Sequence, residues 1–334
     1  MSADQRSLRL PPSPALLPGL ALLTGVLTYF LVILGSTVRV TESGMGCPGW
    51  PLCYGQLGPI DHFHTILEQS HRYLVSLVTV LVILTALAAW RYARQTPSVL
   101  IPAAVALVII VIQIILGGVT VITHNAPFTV ALHLLTAMIL LGVVWVTVVG
   151  TLVARRAASG RRLTRRGYWA AGATFLVMIS GSLVVDGGAT YACPSWPGCR
   201  ALPGEPQQLL LIQDIHRLIV LVASVLIALF VMHAARHWRG VRGARAVADL
   251  LAILLLAQIA AGGLVATLHA PDALQDLHLA LGSATWATAV ILAAIGWLAA
   301  ADAGSAPASQ AADRGLLERN SSGRPLAQPG TGES

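Results

Sequence analysis

Four histidines stand where they could do chemistry together. His71 and His133 lie near the starts of two apolar stretches, and His216 and His278 hold the same places 145 residues later. Ionisable side chains inside membrane-spanning segments are costly and usually functional. A single such histidine can be a hydrogen-bonding residue between helices, but two symmetric pairs weigh toward ligation. Two imidazoles facing each other from separate helices form a natural axial pair for a haem iron. Copper or non-haem iron would call for Met, Cys or carboxylate at close range, and Met45 is the only Met near either pair. Arg72 and Arg217 directly follow their histidines. They could pair with haem propionates, or snorkel to the interface. Gly117–Gly118 and Gly262–Gly263 would let a flat macrocycle approach the backbone, or let helices pack closely. His124 and His269 precede Ala-Pro in outer turns and suit a helix-end role, while His62, His64, His233 and His237 show no paired logic.

The repeat breaks at one informative place. Glu68 stands three residues before His71, on the same helix face, whereas the equivalent before His216 is Gln213. A carboxylate can take a proton or balance developing positive charge, and an amide can do neither. The first half therefore reads as the reactive one and the second as a fixed electron carrier. The alternative is an interfacial acid favoured by the dipole of a helix N-terminus.

All four cysteines fall in two matching loops, "GCPGWPLC" at 46–53 and "ACPSWPGC" at 192–199. Neither pair is C-x-x-C, neither has a histidine at metal-ligand spacing, and no c-type haem motif occurs. If the loops face an oxidising compartment, the bridges Cys47–Cys53 and Cys193–Cys199 are the simplest reading, with free thiols as the alternative. Trp50 and Trp196, between the cysteines, suit either an interfacial aromatic belt or a lid over a haem edge.

These residues need a membrane scaffold. The 334-residue chain is 56% hydrophobic and only 10% charged, too apolar for a soluble domain. Apolar runs at 15–38, 73–90, 99–122, 130–153, 169–185, 218–232, 250–268 and 279–301 predict eight transmembrane helices. The shorter runs extend a turn or two through polar flanks. The first run is too long for a signal-peptide core and reads as a retained helix. Basic residues are all arginine, and they crowd every second connection, including 155–166. The positive-inside rule then puts both termini in the cytoplasm and the cysteine loops outside. The net charge of +7 is thus a topology signal, which argues against nucleic acid as a partner.

The chain is also written twice. "LEQSHRYLVSLV" (67–78) echoes "IQDIHRLIVLVA" (212–223), and "QIILGGVTVITHNAP" (113–127) echoes "QIAAGGLVATLHAP" (258–271). The expectation is an all-α integral membrane protein built as two tandem four-helix bundles. An even number of spans per copy relates them by a pseudo-two-fold axis along the membrane normal. The units are 1–154, a cytoplasmic Arg-rich linker at 155–166, 167–301, and a disordered cytoplasmic tail at 302–334. The residues alone admit an oxidising enzyme or a di-haem b-type cytochrome that only passes electrons. A transporter would need polar residues at the membrane midplane, where Gln113 and Gln258 are the nearest candidates.

Taken with "GSTVRVTESGMGCPGWPLC", "GSLVVDGGATYACPSWPGC" and the histidine motifs, the sequence resembles the haem A synthase family. The resemblance covers about residues 15–300. It implies oxidation of the C8 methyl group of haem O to a formyl group, giving haem A for cytochrome oxidase. It implies haem O between His71 and His133, with Glu68 as catalytic carboxylate, and a haem b cofactor on His216 and His278. It further implies a plasma-membrane location, thiol–disulfide exchange at the first cysteine pair, and haem O synthase and cytochrome oxidase assembly factors as partners.

Overall fold

The computed structural model describes residues 16–57, 62–153, 165–200, 203–238, 241 and 243–301. The 155–166 linker, apart from its last two residues, and the 302–334 tail lie outside the described residues, as do Asp61, Arg239 and Arg242. Among the described residues the protein is all helical, with eight helices long and apolar enough to cross a membrane. These are α1 (Leu16–Val40), α2 (Phe63–Ala93), α3 (Pro97–Ile122), α4 (Pro127–Val153), α5 (Arg165–Asp186), α6 (Gln207–His237), α7 (Ala244–Thr267) and α8 (Asp272–Ala301). A short 3₁₀ turn, Ser43–Met45, follows α1.

Two of the helices start far earlier than their apolar runs. The run at 73–90 belongs to a helix that begins at Phe63, and the run at 218–232 to one that begins at Gln207. The added turns carry Glu68, Gln69, His71 and Arg72 in α2, and Gln213, His216 and Arg217 in α6. A hydropathy run stops at such residues, but the polar atoms of Glu68, Arg72, Gln213 and Arg217 are bonded by the cysteine loops that cover these helix ends, so the helix continues.

The outer turns share one construction. Asn125 N–H donates to Thr120 O at 2.8 Å, and Ala270 N–H to Val265 O at 2.8 Å. This six-to-one bond closes a helix C-terminus once the next residues turn left-handed. His124 (φ 52°) and His269 (φ 59°) are the residues that do so, which is the helix-end role expected of them. Pro127 and Pro271 follow and stop the previous helix from continuing.

Within each half the helices close a ring: α1 on α2, α2 on α3, α3 on α4 and α4 on α1, then α5 on α6, α6 on α7, α7 on α8 and α8 on α5. The halves join where α4 meets α8, α1 meets α8 and α4 meets α5. Apolar packing there centres on Val32, Met138, Leu141 and Ala287, with Trp145 and Trp286 against them. Lipid tails are as apolar as leucine, so close fit and buried hydrogen bonds carry the association. Trp286 Nε1–H donates to Met138 O at 2.8 Å, Tyr29 OH to Ala280 O at 3.1 Å, and Ser36 Oγ to Asp276 Oδ1 at 2.6 Å. Large apolar side chains such as Phe30, Leu84, Ile101, Val108, Ile253 and Leu256 point outward, as expected where the surrounding solvent is hydrocarbon.

Candidate functional site

Each of the four histidine rings rests on a glycine of the neighbouring helix. A Cβ added at Gly35 of α1 would stand 3.0 Å from His71 Cε1, and one at Gly181 of α5 would stand 3.3 Å from His216 Cε1. On the other side of each ring, a Cβ at Gly117 of α3 would be 3.4 Å from His133 Cε1, and one at Gly262 of α7 would be 2.9 Å from His278 Cε1. The missing side chains make flat seats for the imidazoles. His71 on α2 and His133 on α4 belong to one ring of helices, and His216 on α6 and His278 on α8 to the other. The structure thus brings the histidines together as two pairs, one per ring of helices.

The adjacent glycines serve another purpose. Gly118 lies under the Trp50 indole, with a Cβ there 3.1 Å from Trp50 Cε2, and Gly263 lies under Trp196, with a Cβ 3.3 Å from Trp196 Cδ2. The double glycines that the sequence offers to a flat macrocycle therefore receive an imidazole and an indole. Both tryptophans remain half exposed at the ring mouths, seating the cysteine loops on α3 and α7.

The loops are locked to α2 and α6. Cys47 is bonded to Cys53 and Cys193 to Cys199. Gly46 must lack a side chain, because a Cβ there would stand 2.5 Å from His64 O in the first turn of α2. Arg72 donates to Cys47 O at 3.0 Å and Gly49 O at 2.7 Å, and forms an ion pair with Glu68 Oε1 at 2.5 Å. Arg217 donates to Cys193 O at 3.1 Å and Pro197 O at 3.3 Å. Both guanidinium groups, candidates for haem propionates on sequence grounds, here hold loop carbonyls.

Glu68 and Gln213 are both buried and both reach their loop, with opposite polarity. Glu68 Oε2 accepts from Cys47 N–H at 2.7 Å, whereas Gln213 Nε2 donates to Ala189 O at 2.8 Å. The first loop turns an N–H toward its helix and the second a carbonyl. The acid and the amide thus match what their loops present, in addition to differing in charge beside the histidines.

Hydrogen bonding separates the four imidazoles further. His216 Nδ1 lies 2.8 Å from Ser180 Oγ. Buried His71 Nδ1, His133 Nδ1 and His278 Nδ1 have no hydrogen-bond partner among the described residues. Gln113 turns away from the first pair to donate to His133 O at 3.0 Å and Thr136 Oγ1 at 2.6 Å. Leu281 replaces Thr136 in the second half, and there Gln258 Nε2 comes within 3.4 Å of His278 Nε2.

These features suit a haem iron. No group of three or more His, Cys, Asp or Glu that could hold a bare metal ion occurs among the described residues. An iron inside a macrocycle asks the protein for only two axial donors, which each pair provides.

Sequence reasoning passed over Gly35, Gly181 and Ser180. Gly35–Ser36 and Gly181–Ser182 are the aligned "GS" of the two repeats, the only mark these positions carry. It also found no pairing at the other membrane face, where His233 and His237 stack at 4.3 Å between ring centres and Arg166 reaches His233 Nδ1 at 2.9 Å.

A family model described as cytochrome oxidase assembly protein, COX15-CtaA, matches residues 19–290. The chain is 32% identical over 256 residues to a protein named heme A synthase from Geobacillus thermodenitrificans, covering 72% of this chain and 79% of the relative. The heme A synthase of Geobacillus kaustophilus is 32% identical over 255 residues, with the same coverage of 72% and 79%. That of Shouchella clausii is 28% identical over 273 residues, covering 78% of this chain and 91% of the relative.

Proposed function

The chain belongs to the cytochrome oxidase assembly family COX15-CtaA, and from that membership we propose how its two halves divide the work. It is a multi-pass membrane oxidoreductase that converts haem O to haem A, oxidising the C8 methyl group to a formyl group. A cytochrome that only passes electrons is not favoured, since the relatives are named for haem A synthesis.

Haem O is held in the N-terminal half, 1–154, between His71 and His133. The C-terminal half, 167–301, holds haem b between His216 and His278, and that group supplies a one-electron carrier when bound. One observation carries the assignment: in two pockets built on the same plan the chain places a carboxylate, Glu68, one helical turn before His71 and an amide, Gln213, one turn before His216. Taking a methyl group to a formyl group withdraws electrons and protons from one carbon and adds an oxygen atom to it. Glu68, one turn from His71, is the group we assign to accept a proton or balance the positive charge there. Arg72 and Cys47 N–H fix the carboxylate from the loop side, so that it does not swing away between turnovers.

The symmetric division is supported at the join, where Ser283 Oγ meets Met138 Sδ at 3.7 Å. These residues are repeat equivalents, 145 apart, and equivalents can touch only on the axis that relates the copies. The distribution of arginine supports a plasma-membrane orientation with both termini cytoplasmic. Haem O synthase and cytochrome oxidase assembly factors are the partners this chemistry calls for, upstream and downstream.

The test is haem analysis of purified variants. Glu68→Gln should keep its haem b and form haem A about 10²–10⁴-fold more slowly, the usual contribution of a positioned acid or base, with haem O or a partly oxidised form accumulating. His216→Ala should instead lose haem b. Haem A formation by Glu68→Gln at the parent's rate would reduce Glu68 to a loop-holding acid.

A further inference from the structure

Ser180 sets His216 apart from the other three histidines at Nδ1. Its hydroxyl donates to Val177 O at 2.9 Å. A serine hydroxyl has a single hydrogen; with that hydrogen on Val177 O, the oxygen 2.8 Å from His216 Nδ1 accepts from it. In that arrangement His216 carries its proton on Nδ1 and presents Nε2 to a ligand. Gly181, the next residue, seats the same ring. One turn of α5 thus sets both the plane and the tautomer of His216 before any ligand arrives.

The repeat equivalent of Ser180 is Leu34, just before Gly35. A leucine side chain has no acceptor, and His71 Nδ1 is buried without a partner among the described residues. The two rings sit on equivalent glycines at similar distances, 3.0 Å and 3.3 Å to the added Cβ. Seating is thus common to both halves, and the hydrogen bond belongs to one. Metal-ligating histidines are oriented, and made stronger donors, by a hydrogen bond at the other ring nitrogen.

We propose that Ser180 is a positioning residue that anchors His216 so that the C-terminal haem stays resident, and that Leu34 leaves His71 unanchored so that the N-terminal haem can be exchanged. This rests on the assignment of haem b to the C-terminal pocket and of haem O to the N-terminal one. A cofactor should remain through many turnovers, whereas a substrate must enter and its product must leave. An unanchored imidazole binds iron more weakly and lets go sooner.

The experiment is transfer of haem from the purified, detergent-solubilised protein to excess apo-globin, followed together with a redox titration. Ser180→Ala should lose haem b about tenfold faster, the lower end for loss of such a contact, because a hydroxyl is a modest acceptor. If the ferric form carries that tenfold loss alone, the haem b midpoint potential rises by about 59 mV for one electron. Ser180→Thr, which keeps the hydroxyl, should behave as the parent does. Leu34→Ser should slow release of haem O and haem A from the N-terminal half. Folding should survive Ser180→Ala, since it leaves His216 in the state that His71, His133 and His278 already tolerate. Parent-like haem loss and potential in Ser180→Ala would overturn the proposal, as would unchanged release in Leu34→Ser. A His216→Ala control separates the two levels. If that variant kept its haem b, the pocket assignment itself would fall. If it lost haem b while Ser180→Ala matched the parent, only the role of Ser180 would fall.

Discussion

Alanine at Gly262 would set a methyl carbon 2.9 Å from His278 Cε1. Non-bonded carbons rest at about 3.5–4.0 Å, so the imidazole would have to retreat by roughly 0.6–1.1 Å. In the free protein a side chain can do this. With a ligand on the ring it cannot, and the strain falls on the bond. A side chain forced about 30° off its rotamer costs about 0.5–1.5 kcal/mol, which is roughly two- to tenfold in affinity. The backbone moves the other way, because replacing an interior helical glycine with alanine favours the helix by about 0.8–1.0 kcal/mol. Gly262→Ala should therefore fold at least as well as the parent while holding less haem b. The distances rank the four seats: Gly262 at 2.9 Å, Gly35 at 3.0 Å, Gly181 at 3.3 Å and Gly117 at 3.4 Å. In the C-terminal half Gly262→Ala should lower haem b occupancy more than Gly181→Ala. In the N-terminal half Gly35→Ala should weaken haem O binding more than Gly117→Ala. Haem per protein from the reduced pyridine spectrum, at limiting haem supply, reads the first comparison, and the thermal midpoint of haem-free protein checks folding. Full haem b occupancy in Gly262→Ala, or a larger loss in Gly181→Ala, would show that the glycines do not set the rings.

Arg72→Ala should expose the first loop to reductant more than Arg217→Ala exposes the second, because Arg72 holds two loop carbonyls within 3.0 Å as well as Glu68. Thiol release at each pair under limiting dithiothreitol measures this, and Arg72→Lys should not restore protection, since an ammonium lacks the fork; equal rates at both loops would sink the clamp. Trp286→Phe keeps a ring against Gly142 but loses the bond to Met138 O, so the thermal midpoint should fall by an amount corresponding to about 0.6–1 kcal/mol with haem content unchanged. In a background without native cysteines, Gln56→Cys should react with a membrane-impermeant thiol reagent in intact cells and Gly160→Cys should not; the reverse pattern would invert the topology.

Hydropathy and repetition made the eight helices and the histidine pairs legible, because burial in lipid and duplication both leave marks along the chain. The helix starts were harder. Glu68 and Arg72 lie outside the apolar run, and the covering loop, up to 25 residues away, supplies their partners. Gly117–Gly118 was open to several readings, since a glycine says that something comes close without saying what; here it is His133 and Trp50. Ser180 left no trace, because a serine in an apolar helix ordinarily bonds its own backbone, as this one also does, and its second partner lies 36 residues on. The polarity of the loop groups facing Glu68 and Gln213 is a matter of backbone orientation and has no sequence signature.

The contacts across the join, α4 with α8, α1 with α8 and α4 with α5, are unchanged when α1–α4 and α5–α8 exchange places. An interface of that form could in principle be made by two identical four-helix chains meeting face to face. Such a homodimer would carry two carboxylates or none, and two tethered imidazoles or none, because every residue would appear twice. Joining the copies in one polypeptide lifts that restriction. Position 68 can be an acid while 213 stays an amide, and 180 can hold its histidine while 34 does not. Fusion gives this protein the freedom to be unequal, so that one pocket can change its contents while its twin keeps them.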